Sequence, residues 1–315
     1  MRFFPVWFYL NYKTLLTSLE RYFLVFFLRF YRGCIQQLMR LPLGLVFGGL
    51  HGMRFLRLTS KHQKALSLVA SENQRCLLND GEQLDFTWTA QRRKTLDYAA
   101  TFGRNKFLIS QLDDCARLLD RVVKPLHQDK KPVVLAPMHM VSDILTGIVA
   151  SKVYPGHGTV IVSANADYYT QQDRLRGGVN LTYCSIHDNA QGIAKNIMAA
   201  CMTAMENRTN IIVFPDIVPD YTYSSDQGKS SKLQCRLFGR PANLHNGVER
   251  MAKMLSAEVV FYYLYYDRGI KIHIHPPVSA ESVSDFLPVI IEKSIRDKPH
   301  DWLLWHLHSL YFINE

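Results

Sequence analysis

The chain is 315 residues long; 48% of its residues are hydrophobic, 12% aromatic and only 20% charged, with a net charge of +10. This content excludes an intrinsically disordered chain, and the length allows one α/β domain with an attached segment. The positive charge predicts an anionic partner. The six cysteines show neither a C-x-x-C pair nor a zinc-like spacing, so they are expected to be scattered reduced thiols.

Residues 1–57 are predicted to form basic amphipathic helices that associate with a membrane. The first 60 residues contain eight Lys or Arg and one acid, Glu20, interleaved with aromatic residues in a way that disfavours nucleic acid. Five polar residues fall within about 100° of a helix surface: Arg21, Arg29, Arg32, Gln36 and Arg40. This pattern is typical of an interfacial helix, and the uncharged runs fall short of the roughly 18–20 residues that span a bilayer. A core-packed helix with a basic edge is the alternative.

The start of the chain is not expected to be a secretory signal. Pro5 interrupts its apolar stretch and no small-residue cleavage site follows. The sequence therefore predicts an intact segment that faces the cytoplasm and lies on the bilayer, as a peripheral or monotopic anchor.

Residues 58–130 are predicted to be a helical connector, and residues 131–315 an α/β domain. In that domain, apolar strand candidates occur at 133–138, 159–164, 180–186, 210–216, 258–266 and 271–276. Helical patterns fall between most of them, at 140–152, 190–206 and 244–256. This alternation predicts a central mixed, largely parallel sheet flanked by helices. The last two strands are separated only by Asp-Arg-Gly, which predicts an antiparallel hairpin.

The candidate active site lies where two strands end. His139 directly follows the strand candidate VVLAPM, and Asp216 follows NIIVF. Chemistry collects at the carboxyl ends of strands in open α/β sheets. If a helix begins at His139, Asp143 lies one turn away and can orient the imidazole as a general base, an HxxxD arrangement. If the helix begins later, another acid such as Asp216 takes that role.

The order of motifs from residue 132 onward resembles the lysophospholipid and lipid A late acyltransferase family, the lauroyl/myristoyl transferases. The matching stretches, in chain order, are APMHMVSD, DRLRGG, VFPDIVPD, RLFGRPANLHNGVERMAKMLSAEVVFYY and KPHDWLLWHLHSL. The family usually has four residues between its His and its acid, whereas His139 and Asp143 enclose three. The chain is therefore interpreted as a divergent member with a glycerolipid acyltransferase-like fold.

The resemblance implies a membrane-associated O-acyltransferase at the cytoplasmic face of the inner membrane. It would move a fatty acyl chain from an acyl thioester, carried by acyl carrier protein or CoA, to a hydroxyl of a lipid or glycolipid, with a lipid A-like acceptor favoured. The reaction needs a base and oxyanion donors but no metal or redox cofactor. His139 would be the base and Arg176 or Arg174 the oxyanion donor, while Asp216 would hold an arginine or cap its strand. The basic run Arg92, Arg93 and Lys94 is a candidate surface for an acidic carrier protein.

Two other function classes remain open from the sequence. One is a catalytically degenerate, membrane-binding protein with the acyltransferase fold, which the short His–Asp spacing favours. The other is a metal-assisted hydrolase built on four residues: His139, Asp143, Asp216 and His245.

Overall fold

The structure is a computed structural model that describes residues 3–55, 61–79, 84–162, 181–185, 190–217 and 232–307. Nine strands are described: β1 Val133–Pro137, β2 Gly158–Val162, β3 Leu181–Ser185, β4 Asn210–Ile212, β5 Lys232–Leu237, β6 Arg240–His245, β7 Glu258–Tyr266, β8 Ile270–Ile274 and β9 Val278–Ser279. The described α-helices are α1 Phe3–Leu38, α2 Leu43–Phe55, α3 Lys61–Leu78, α4 Phe86–Thr101, α5 Lys106–Gln128, α6 Asp143–Lys152, α7 Ala190–Met205, α8 Gly247–Leu255 and α9 Val283–Asp297.

A mixed sheet forms the centre of the fold, with the strand order β3-β2-β4-β1-β7-β8 and β9 paired to β7. The neighbouring pairs β3–β2, β2–β4, β4–β1 and β1–β7 are parallel, and β8 and β9 run antiparallel to β7. The predicted sheet and the closing hairpin are confirmed. Every residue of β1 is buried, as expected for a central parallel strand covered on both faces.

Helices cover the two faces of the sheet. Val133 and Leu135 of β1 pack into a core with α5 and α6, whereas Val134 and Ala136 point the other way, into a core with α7, α8 and α9. This division follows from the alternation of side chains along a strand. β1 is therefore fixed from both faces, and its carboxyl end is a rigid platform for the residues that follow.

A two-stranded hairpin, β5 and β6, lies outside the central sheet and was missed by the sequence pattern. Leu237 pairs with Arg240, so the turn consists only of Phe238 and Gly239. Both residues have positive φ, 53° and 75°, which is the geometry of a type I′ turn. The predicted helix at 244–256 correspondingly begins only at Gly247, because the preceding residues belong to β6.

Three helices lie between the N-terminal segment and β1. Within the predicted connector, α5 packs against β8 and α6, and α3 packs against α4. Asn105 caps α5 by accepting the Leu108 N–H, and its amide donates to the carbonyl groups of Met39 and Leu41. Asn105 thus holds the turn between α1 and α2 beside the start of α5.

Away from the Asn105 contact, helix α1 exposes both basic and aromatic side chains to solvent. Residues 21–27 are all exposed, so this stretch does not pack on the core. Within the described residues, no helix combines the length and apolarity that a membrane crossing requires. The predicted amphipathic membrane contact of residues 1–57 stays a prediction, as does the division into three domains.

Candidate functional site

His139 lies at the carboxyl end of the sheet, two residues after β1 ends at Pro137. The neighbouring parallel strand β4 ends at Ile212, and Asp216 follows in the next turn. Parallel neighbours end at the same edge of a sheet, so the fold brings His139 and Asp216 together. The Met138 N–H donates to the Tyr262 carbonyl at 3.0 Å, which extends the contact with β7 up to the residue before His139.

Asp216 is the hydrogen-bond partner of the His139 imidazole. Its Oδ1 lies 2.7 Å from Nδ1, and its Oδ2 accepts the His139 backbone N–H at 3.0 Å and the Trp302 indole N–H at 2.9 Å. The carboxyl group is fully buried. An acceptor at this position favours the tautomer with the proton on Nδ1, which leaves the lone pair on Nε2.

Charge raises the pKa of His139 above its ordinary value. Burial is the largest single influence and lowers the pKa, whereas the carboxylates of Asp216 and Asp143 raise it. The Asp216 hydrogen bond raises it further, and Arg93 opposes this. The ring of Phe214 packs against the imidazole with centroids 4.3 Å apart and limits its orientations. The imidazole of His139 is therefore fixed in orientation, and its protonated form is stabilised.

The prediction that Asp143 holds His139 is wrong. Helix α6 begins at Asp143 itself, with Ser142 as its N-cap, so His139 is not on the helix and the one-turn spacing does not apply. Val141 has a φ of 62°, which reverses the chain between the two residues. Asp143 instead accepts from Arg93 Nη2 at 2.6 Å and acts on His139 only through its charge. Asp216, the alternative partner, makes the contact.

The basic run on α4 is mostly engaged inside the protein. Arg92 is buried and pairs with Asp301 at 2.5 Å, and Arg93 pairs with Asp143. Only Lys94 is exposed. The run is therefore not the open three-charge surface that the sequence suggested for a carrier protein.

A pocket of about 520 Å³ lies near the turn at residues 138–142, although none of these residues is among the described side chains that line it. Helix α4 forms one wall, and the opposite side consists of Ile144, Leu303 and His306. Leu303 also donates its backbone N–H to the His139 carbonyl at 2.9 Å, so the wall of the pocket is tied to the turn. The α4 wall is apolar at Phe86, Ala90, Tyr98 and Phe102, and charged at Arg93, Lys94 and Asp97. This size and mixed lining are typical of a site for a small or elongated organic ligand.

Two of the wall's polar groups have shifted pKa values. Burial raises the pKa of Asp97 to about 6, although a hydrogen bond from Ser142 opposes this. Burial also lowers the pKa of His306, whose Nδ1 is buried and has no hydrogen-bond partner among the described residues. The pocket therefore carries a carboxyl group with a raised pKa and an imidazole whose neutral form is favoured.

The remaining predicted site residues lie elsewhere. Arg174 and Arg176 fall in 163–180, outside the described residues, so their oxyanion role stays a prediction. His245 accepts the Gly247 N–H on its Nδ1 at 2.9 Å, in the turn from β6 to α8. In the part of the chain that the structure describes, no three His, Cys, Asp or Glu side chains are grouped to hold a metal ion.

Trp302, Arg93 and Asp301 complete the surroundings of His139, and sequence reasoning assigned none of them a role there. Trp302 had a usable signal, because a buried indole N–H normally needs an acceptor. No sequence signal pointed to Arg93 or Asp301, because their partners are distant in sequence. The Arg92–Asp301 pair spans 209 positions and the Arg93–Asp143 pair spans 50.

Comparison with known proteins identifies the family of this chain. The model of the bacterial lipid A biosynthesis acyltransferase family matches residues 115–310, which include both His139 and Asp216 and more than half of the chain. No curated protein sequence matches the chain. The matched region begins within α5 and ends just after the segment that carries Trp302. The chain belongs to the bacterial lipid A biosynthesis acyltransferase family.

Proposed function

We propose that this acyltransferase moves a fatty acyl chain from an acyl thioester to a hydroxyl of a lipid or glycolipid, with a lipid A-like molecule as the favoured acceptor. The observation that carries the proposal is the 2.7 Å contact between His139 Nδ1 and Asp216 at the carboxyl end of the sheet. Membership of the family supports acyl transfer to a lipid in general terms. The thioester donor, on acyl carrier protein or CoA, is part of the proposal.

In the proposed reaction, His139 Nε2 takes the proton of the acceptor hydroxyl while the oxygen attacks the thioester carbonyl carbon. The tetrahedral intermediate then loses its thiolate as the carbon–sulfur bond breaks, and the imidazolium returns the proton to that sulfur. The products are an ester and a free thiol. Asp216 stabilises the imidazolium, and its backbone contact with His139 keeps the ring in place. Arg176 or Arg174 is the proposed donor to the oxyanion.

The pocket is the proposed site for an acyl chain. Phe86, Ala90, Tyr98 and Phe102 give its α4 wall an apolar stripe, and Leu303 ties the opposite wall to the His139 turn. The link between this pocket and the proposed base is the backbone hydrogen bond from Leu303 to His139, since the imidazole itself is not among the described lining groups. Lys94 on the same wall offers a positive charge to an anionic part of a substrate.

The N-terminal segment is the proposed membrane contact, at the cytoplasmic face of the inner membrane. The aromatic side chains of Tyr22, Phe23, Phe26 and Phe27 on α1 are exposed alongside Arg21 and Arg29. Asn105 holds the end of α1 close to the α4 terminus, where Phe102 lines the pocket. A lipid acceptor would therefore leave the bilayer near the mouth of the pocket.

The function is tested with purified full-length protein, defined acyl donors on carrier protein and on CoA, and extracted membrane lipids, read by mass spectrometry. We expect an acylated lipid from the wild type and a loss of about 10²–10⁴-fold in rate for His139→Ala. The matched control is His157→Ala, because the His157 side chain bonds the exposed Thr182 hydroxyl and lies at the opposite, amino end of the sheet. The control is expected to keep the wild-type rate.

The alternative of a catalytically degenerate protein predicts no acylated lipid from the wild type with any donor. Its main argument was the short spacing between His139 and Asp143, and the Asp216 contact removes that argument because the imidazole has a carboxylate partner without Asp143. A folded His139→Ala protein that acylates lipid at the wild-type rate would refute His139 as the base.

A further inference from the structure

The backbone that carries His139 is strained. Within the His139 turn, residues 138–142, the Met140 N–H bonds the Met138 carbonyl at 2.8 Å and the Ser142 N–H bonds the Met140 carbonyl at 2.7 Å. These are two successive γ-turns, and the second places Val141 at a φ of 62°. A β-branched residue is rare in this region, so the turn persists only if its surroundings hold it.

The C-terminal segment, residues 299–305, makes the contacts that hold the turn. The Val141 N–H donates to the Asp301 carbonyl at 2.8 Å, and the Leu303 N–H donates to the His139 carbonyl at 2.9 Å. The Trp302 indole from the same segment donates to Asp216, the partner of the imidazole. One segment therefore fixes both the backbone of His139 and the carboxylate that orients its ring.

A buried ion pair joins the C-terminal segment to helix α4. Arg92 on α4 lies 2.5 Å from Asp301, with side chains only 7% and 5% exposed. Arg92 also donates to the His300 carbonyl, and the second oxygen of Asp301 accepts the Tyr266 N–H at 2.9 Å. The pair thus joins α4, the end of β7 and the C-terminal segment at one point.

We propose that Arg92 and Asp301 are positioning residues of the acyl transfer reaction, which hold the C-terminal segment against the His139 turn. This inference rests on the proposed function, because it assigns the pair to the geometry of the proposed base. Neither residue touches substrate. Their role is to keep the imidazole of His139 aligned with Asp216, and misplacement of a reacting group by about 1 Å can cost about 10²-fold in rate.

The test compares Asp301→Asn with the double variant Arg92→Met/Asp301→Leu. Asp301→Asn keeps the shape and an acceptor for Tyr266 but leaves the buried guanidinium without a carboxylate. The double variant removes both charges, so no unpaired charge stays buried. We expect both folded proteins to lose about 10- to 100-fold in kcat with little change in KM.

A second readout is the titration of His139, followed by NMR of labelled imidazole rings. The charged groups around that ring are Asp216, Asp143 and Arg93. A loosened Asp216 contact is expected to lower the pKa of His139 toward its ordinary value in both variants. A role in stability alone would lower the melting temperature and leave kcat per folded molecule and this titration unchanged.

The matched control is Glu258→Gln, which breaks the Lys131–Glu258 ion pair at the opposite, amino end of β1 and β7. It is expected to keep the wild-type kcat and His139 titration. Folded Arg92 and Asp301 variants with both wild-type values would overturn the proposal. If the wild type transfers no acyl chain, the proposed function fails, and the titration alone still decides whether the pair positions His139.

Discussion

Replacing Asp216 and Asp143 separately by Asn distinguishes the two carboxylates near His139. Asp216 is fully buried and accepts the Nδ1–H of His139 at 2.7 Å, whereas Asp143 pairs with Arg93 at a partly exposed position. Each substitution removes one negative charge and keeps the shape of the side chain. Only Asp216→Asn removes the charged hydrogen-bond partner of the His139 imidazole.

The expected magnitudes follow from these contacts. A hydrogen bond to a charged group contributes about 1.5–3 kcal/mol, so Asp216→Asn is expected to lower kcat by roughly 10- to 160-fold. The Asp143–Arg93 pair has side chains 32% and 40% exposed, and solvent screens it. Such pairs contribute about 0–1 kcal/mol, which limits the effect of Asp143→Asn to about fivefold or less.

The assay is the initial rate of thiol release from an acyl thioester donor, measured across the acid limb of the pH profile. The base acts in its neutral form, so the rate falls as pH drops through the pKa of His139. Because the Asp216 carboxylate raises that pKa, Asp216→Asn is expected to move the limb to lower pH as well as lower the plateau. An equal or larger loss in Asp143→Asn, or an unmoved limb in folded Asp216→Asn, would refute the assignment.

Ala90→Phe fills the pocket from the α4 wall and is expected to slow transfer of long acyl chains more than transfer of short ones. As a control, Ala199→Phe on the exposed face of α7 should leave the ratio of the long-chain rate to the short-chain rate unchanged. Protein lacking residues 1–57 is expected to lose co-sedimentation with anionic liposomes; undiminished binding contradicts a membrane role for this segment. Burial lowers the pKa of His275 to about 4, so as pH falls the unfolded chain binds a proton at this residue before the folded protein does. The free energy of unfolding should therefore fall by up to about 3 kcal/mol as pH drops from 6.5 toward 4. His275→Gln, which keeps a donor to Ser294, should remove that part of the slope in denaturant unfolding.

The sequence by itself determined the elements whose patterns are local. The apolar run at 133–137 gave a buried central strand, and residues 258–266 form the predicted strand without a shift at either end. Their hydrophobic runs suffice because a parallel strand is covered on both faces. The ends of β1 and β4 also located His139 and Asp216 correctly as strand-end residues.

Local pattern failed where the backbone departs from regular structure. The hairpin of β5 and β6 was missed because Phe238 occupies a turn position that usually carries Asn or Gly. The one-turn spacing of His139 and Asp143 was misleading because Val141 takes a left-handed conformation that no propensity predicts for a β-branched residue.

Only the tertiary structure decided which groups surround the imidazole. His139 and Asp216 are 77 positions apart, and Asp216 and Trp302 are 86 apart. Such contacts depend on the order of strands in the sheet and on where the C-terminal segment packs, and neither is encoded in a short window of sequence. The residue that carries the proposed chemistry was readable from its strand, but the choice between Asp143 and Asp216 as its partner was not, because a hydrogen bond requires a distance that only the folded chain sets.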